Sequence, residues 1–211
     1  MKISIVMFLF VMSCLSSLAL ATSSKIIVGA LANNNLLQGN VIESNSAFDI
    51  AISGNGFIPL QNSKGEILYT RYGALGMDKS GDLEHIPSGL KVVIPDEKGN
   101  LKTIHLESFA ERPFVNQTDR QAKLTSMAFS DSGTLEGLFS DGQVITITKL
   151  HLAVFENQRK LRIADESKYL LKSTKAVGKI AYLPPGEHPV VKIFGHHLES
   201  ISMRDYKKAL H

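Results

Sequence analysis

Apolar and polar positions divide the chain into three textures. Residues 3–12 are almost continuously apolar. Residues 22–45 are rich in Asn, Ser and Gly, with Ile26, Ile27, Leu31, Leu36 and Leu37 scattered among them. Asn33-Asn34-Asn35 is a poor helix interior, because Asn side chains compete for nearby backbone groups, so this stretch predicts one or two turns rather than a helix. From Phe48 onward, short apolar runs alternate with turn chemistry.

Within that third texture Ile50 and Ile52, then Phe57, Ile58 and Leu60, flank Gly54-Asn55-Gly56. Two extended pieces meeting at a Gly-permitted bend are expected there. Asn62-Ser63-Lys64-Gly65 turns the chain into a strand with Ile67, Tyr69 and Arg71 on one face and Leu68, Thr70 and Tyr72 on the other. Asp78-Lys79-Ser80-Gly81, Ser130-Asp131-Ser132-Gly133 and Ser140-Asp141-Gly142 repeat the turn signal between β-branched and aromatic runs, which predicts a meander of hairpins. Residues 149–156 read as one more strand, and residues 161–169 and 180–183 as shorter extended pieces. Leu198, Ile201, Asp205 and Tyr206 recur at three- and four-residue spacings, which allows a short C-terminal helix over residues 198–210. The fold class expected is all-β with that short C-terminal helix.

The first texture changes the compartment. Lys2, an apolar stretch of about ten residues and small Ala19 and Ala21 have the form of a secretory signal peptide cleaved after Ala21. The apolar stretch is short for a membrane span, which needs about 20 residues. Lipid attachment at Cys14 is the rival, but Met12 fits that cleavage pattern poorly. The organisation expected is a leader over 1–21, a linker over 22–40, a β domain over 41–183 and a C-terminal segment over 184–211. Cleavage after Ala21 removes Cys14, the only cysteine.

Composition then narrows the function classes. The 211 residues are 44% hydrophobic and 20% charged, which excludes a disordered tail or a collagen-like fibre. A formal charge of +3 is too slight an excess to argue for nucleic acid or a membrane surface. There is no phosphate-cradling GxxxxGK[ST], no GxSxG turn and no HExxH. Gly54-Asn55-Gly56 lacks the third glycine and following helix of a dinucleotide site.

The residues that remain each have a modest reading. His196-His197 with Glu199 is the one metal-like or enzyme-like grouping, but neighbours on a strand point to opposite faces. Asp78, Asp82, Asp131 and Asp141 sit in Ser/Gly turns, where a short carboxylate caps its own backbone. Lys168, Lys172, Lys175 and Lys179 lack interleaved aromatics and read as a solvated face. Asn116-Gln117-Thr118 fits the glycan acceptor pattern. No catalytic, cofactor-binding or metal residue is assigned, no cofactor is expected, and the protein is read as a non-enzyme.

Leu37-Gln38-Gly39-Asn40-Val41 and Asp49-Ile50-Ala51-Ile52-Ser53-Gly54-Asn55-Gly56-Phe57-Ile58 resemble phrases of the bacterial flagellar basal-body rod and hook protein family. Tyr69-Thr70-Arg71-Tyr72-Gly73, with Asp78-Lys79-Ser80-Gly81-Asp82-Leu83 behind it, is similar to the family's next phrase. Ser130-Asp131-Ser132-Gly133-Thr134, the strand Leu150-His151-Leu152-Ala153-Val154-Phe155-Glu156-Asn157, residues 161–169, and Gly195-His196-His197-Leu198-Glu199-Ser200-Ile201-Ser202-Met203 continue the resemblance in order. It is nearest the distal rod type. Family members begin and end in long heptad helices that pack into a tube, and such packing needs sustained apolar a/d positions. Neither end of this sequence has them, and the family's subunits are exported without a cleaved leader.

The resemblance implies an exported, non-enzymatic structural or interaction protein associated with flagellar assembly or motility. Its expected partners are rod, hook or ring components, or further copies of itself, with no nucleic acid and no membrane span after leader cleavage. The expected location is the periplasm, the flagellar basal body or the extracellular space. The alternative is a small-ligand or polysaccharide binding module in the same compartment, its apolar pocket ringed by Tyr69, Arg71, Tyr72 and His85.

Overall fold

The computed structural model describes residues 26–27, 31–32, 35–36, 38–114, 117–164, 170–186 and 191–201. Three two-residue strands, β1 (Ile26–Ile27), β2 (Leu31–Ala32) and β3 (Asn35–Leu36), precede β4 (Asn40–Glu43), β5 (Ile50–Gly54), β6 (Gly56–Gln61) and β7 (Ile67–Thr70). Next come β8 (Leu75–Met77), β9 (Leu83–His85), β10 (Leu90–Pro95) and β11 (Leu101–Thr103). They are followed by β12 (Glu111–Phe114), β13 (Gln117–Phe129), β14 (Thr134–Phe139) and β15 (Val144–Lys149). The order closes with β16 (Leu152–Phe155), β17 (Arg162–Ile163), β18 (Leu171–Lys172), β19 (Ile180–Leu183), β20 (Val191–Gly195) and β21 (His197–Ile201). Among the described residues the only helical elements are short 3-10 turns, so the fold is all-β.

Strand β6 organises the largest sheet. Strand β7 pairs along one of its edges, Ile58 opposite Thr70 through Gln61 opposite Ile67. The other edge is shared, with β16 meeting Gly56 and Phe57, and β10 meeting Leu60 and Gln61. Pro59 lies at that changeover, where its missing N–H is tolerated inside a sheet. Alternation along β6 and β7 then separates two cores. Ile58, Leu60 and Leu68 join Ile50, Ile52, Leu75, Val92, Phe129 and Leu135 in one. Phe57 and Tyr69 point the other way, into a second core with Phe155, Leu161, Leu171 and Val177.

The expected meander is present: β12, β13, β14 and β15 pair in that order, with turns at 130–133 and 140–142. Residues 149–156, expected as one strand, divide instead. Lys149 ends β15, and Leu152–Phe155 crosses to pair with β6 and β19.

Gly54-Asn55-Gly56 is a corner rather than a hairpin, because β5 pairs with β20 while β6 pairs elsewhere. Strands β4 and β5 together form one side of a two-stranded ribbon with β21 and β20: Asn40 to Glu43 face Ser200 to His197, and Ile50 to Gly54 face Gly195 to Val191. Between the two halves, residues 44–49 loop out opposite the single residue His196, whose φ of 56° is left-handed. Asn, Asp and His are the non-glycine residues most often found there. Ser44 N–H donates to His196 O at 2.8 Å and Ser44 Oγ to Asp49 Oδ2 at 2.5 Å, which close the loop.

Leu198–Ile201, expected as the start of a terminal helix, is strand, held by β4 on one side and β1 on the other. The rest of that expected helix lies outside the described residues, as do the leader, Asn116 and Lys168. Residues 31–36, expected as turns, contribute the short pair β2 and β3.

Candidate functional site

The ribbon folds back on itself at His196, and this brings three distant segments onto one side chain. Arg71 directly follows β7 and, on the same face as Tyr69, is fully buried at 0% exposure. Its Nε donates to Glu199 Oε2 at 3.1 Å and Nη2 to Glu199 Oε1 at 3.3 Å. Nη2 also donates to Ile52 O at 2.7 Å and Gln38 Oε1 at 3.1 Å, and Nη1 to Gly56 O at 3.0 Å and to Gly54 O. The guanidinium lies 5.9 Å from the centre of the Phe57 ring. A planar five-donor group suits this site as a lysine would not, since the acceptors lie around its plane.

Glu199 is equally enclosed. Its Oε1 accepts from Gln38 Nε2 at 2.8 Å and from the Gly39 N–H at 2.6 Å. Gln38 in turn donates to Ile52 O at 3.0 Å and accepts from the Gly54 N–H at 3.0 Å. A Cβ on Gly39 would stand 2.7 Å from Ser200 O, so only glycine lets the chain pass this close to β21. A buried ion pair survives when its remaining lone pairs and protons are satisfied, and these bonds do that. The knot holds the approach to β4, the β5–β6 corner, the end of β7 and β21 in one arrangement.

Its members come from separate phrases singled out in the sequence: Gln38-Gly39, Tyr69-Thr70-Arg71 and Leu198-Glu199. Their convergence is not visible in the sequence. The signal was Arg71, which shares its strand face with Ile67 and Tyr69, a face where a charge is buried only with a partner.

The pocket expected around Tyr69, Arg71, Tyr72 and His85 is not formed. All four are buried, and they point to two different places. Tyr69 packs edge-on against Phe155 at 4.8 Å, and its hydroxyl lies 3.2 Å from that of Tyr182. Burial raises its phenol well above the ordinary range. Tyr72 meets His85 edge-on at 6.0 Å, and His85 Nδ1 lies 2.7 Å from Ser88 Oγ. Burial pushes the His85 imidazole down to about 4.

The other residues singled out in the sequence are spread out. His196 is exposed at the kink, His197 Nδ1 lies 2.6 Å from Gly195 O, and Glu199 belongs to the knot. Asp78 caps its own turn through the Ser80 and Asp82 N–H groups, each at 2.8 Å, and Asp141 caps its own through the Gln143 N–H at 3.2 Å. Two aspartates depart from that expectation. Asp131 Oδ1 accepts from the Gly195 N–H at 2.9 Å, which ties the meander to the kink, and Asp82 Oδ1 lies 3.0 Å from His105 Nδ1. Lys91 reaches both Asp78 and Asp82. Lys175 and Lys179 are exposed and Lys172 is half-buried. No three His, Cys, Asp or Glu among the described residues come together as a metal site, and no helix there is long and apolar enough to cross a membrane.

What the surface offers is strand edges and a few apolar side chains. Val144 and Leu138 face each other across β15 and β14 and are 59% and 41% exposed. An open cavity of about 250 Å³ between β11 and β15 has Ile94, Ile104, Phe109 and Ile147 among its walls. Strand β15 is the outer strand of its sheet.

Comparison with known proteins agrees with the order of the phrases. The family described as the flagellar hook protein FlgE/F/G D1 domain matches residues 51–136. The flagellar basal-body rod protein FlgG of Buchnera aphidicola subsp. Baizongia pistaciae is 27% identical over 164 residues, 77% of this chain and 54% of that protein. FlgG of Buchnera aphidicola subsp. Schizaphis graminum is 44% identical over 46 residues, 22% of this chain and 18% of that one. The chain thus matches about half the length, or less, of these relatives. A crystal structure of the Helicobacter pylori flagellar hook protein FlgE2 overlaps 64% of this chain and 29% of its own, at 15% identity and a TM-score of 0.31, too loose a likeness to carry the fold. The D1 match runs from β5 to β14 and takes in the Arg71 phrase; with the FlgG relatives, it makes this part of the chain similar to the flagellar rod and hook proteins.

Proposed function

We propose that the protein is an exported, non-enzymatic structural subunit that works in or beside the flagellar basal body through protein contacts. The family is a structural one rather than an enzyme family. The observation that carries the reading is the Arg71 knot. It commits a buried Arg–Glu pair to internal cohesion, while a strand edge at β15 and exposed apolar residues such as Val144 remain at the surface. Strand edges invite pairing with neighbouring chains, which suits a part that is assembled. The leader over residues 1–21 supports export through the general secretory route, with the mature chain reaching the periplasm or the basal body.

Deletion of the gene should reduce motility, and tagged protein recovered from the envelope should bring rod, hook or ring components with it. A fully motile deletion strain, together with an envelope preparation free of those components, would refute the proposal. Cleavage after Ala21 is read directly from the N-terminal sequence of the recovered chain.

A further inference from the structure

The backbone phase of β15 decides what its outer edge offers. Phe139 N–H donates to Gln143 O at 2.9 Å. Hydrogen-bonded pairs alternate along an antiparallel ladder, so Ile145 and Gly137 form the next bonded pair. Val144 and Thr146 therefore turn their N–H and C=O groups away from β14, toward the outer edge. Past Thr146 the register shifts, because Thr146 faces Glu136 while Thr148 faces Leu135. The extra residue, Ile147, is turned inward at 9% exposure. The bulge ends the straight part of the edge, which leaves a short run bounded by Asp141 before it and Lys149 after it.

We propose that this edge is a self-association site, to which β15 of a second copy of this chain adds antiparallel about a two-fold axis at Ile145. In that register Val144 of one strand lies opposite Thr146 of the other, and the outward N–H and C=O groups of these residues pair on both sides of the axis. The same operation applies to the straight run alone, since the turn at 140–142 and the bulge at Ile147 bound it. It also brings the two exposed Val144 side chains, each backed by Leu138, onto one face. An isologous contact of this kind closes at two copies. Its small area belongs with transient interfaces.

As a contact for a structural subunit it rests on the reading above, but it is measured on the purified full chain alone. Sedimentation velocity from about 10 μM to about 1 mM should show a monomer–dimer equilibrium centred on the order of 100 μM. Val144→Pro removes an outward N–H that β14 does not use, and should weaken the dimer about tenfold or more. Thr146→Lys, which places a like charge on each side of the axis, should do the same and guards against misfolding of the proline variant. A monomer at every concentration, or a dimer indifferent to both Val144→Pro and Thr146→Lys, overturns the contact while leaving the motility experiment unaffected. A motile deletion strain with an envelope preparation free of rod, hook or ring components would sink the subunit reading and leave the dimer standing.

Discussion

Arg71 Nε and Glu199 Oε2 lie 3.1 Å apart, 128 residues distant in the chain, with both side chains at 0% exposure. The pair is enclosed, so removing one member leaves the other charged and desolvated. Glu199→Ala and Arg71→Ala should each cost about 3–5 kcal/mol. Arg71→Lys should recover only part of this, because an ammonium cannot reach Ile52 O, Gly56 O and both Glu199 oxygens from one position. Urea unfolding of the three variants gives the comparison, and an Arg71→Lys protein as stable as the parent would refute the geometric reading.

Lys91 with Asp78 and Asp82 is the control for that argument. These groups keep 28%, 16% and 22% side-chain exposure, so water screens them. Lys91→Ala should cost less than about 1 kcal/mol, and the loss should shrink further in high salt. The contrast with Arg71 separates the effect of burial from the effect of pairing.

His85 should make the fold acid-sensitive. Its imidazole titrates at about 4 when folded, against 6.5 for the ordinary group. Between those values the unfolded chain binds the proton and the folded chain does not, so stability rises with pH across that window. The contribution is complete above pH 6.5 and is lost as pH falls toward 4, by on the order of 2–3 kcal/mol. His85→Gln, which does not titrate, should flatten the stability profile over this range in chemical denaturation at stepped pH.

Gly73 and Gly195 are held by close approach rather than by backbone conformation. A Cβ at Gly73 would collide with Ile50 O, and one at Gly195 with Phe129 O, both rigid main-chain atoms. Alanine at either position should cost about 2 kcal/mol or more. Gly56→Ala, which meets only the side chains of Val191 and Leu152, should cost less, because those atoms can shift. Thermal melts of the three variants rank them.

Local chemistry made the meander legible: Ser130-Asp131-Ser132-Gly133 and Ser140-Asp141-Gly142 specify turns wherever they occur, and β13, β14 and β15 are sequential neighbours. The two faces of residues 67–72 were legible for the same reason, since strand periodicity is local. Pairing across long sequence distance was not. Nothing in Gly54-Asn55-Gly56 says whether the flanking strands pair with each other or with β20 and β7, because turn residues fix a bend and not a partner. Leu198 and Ile201 fit a helical spacing, yet β4 and β1 claim the backbone on both sides. The Arg71–Glu199 pair depends on that same long-range pairing, so the knot stayed hidden although its members had each been singled out.

The folded-back ribbon has a mechanical consequence. Asn40 pairs with Ser200, so the strands enter and leave the body side by side. Tension that drew these two points apart would load the ribbon as a zipper, one rung at a time, rather than in shear across all rungs at once. Gln38 and Gly39 stand just before the first rung and Glu199, opposite Val41, on the second, joined there with Arg71. Such a pull would meet that clamp first, and once it yields the remaining rungs of β4 and β5 on β21 and β20 would part in sequence.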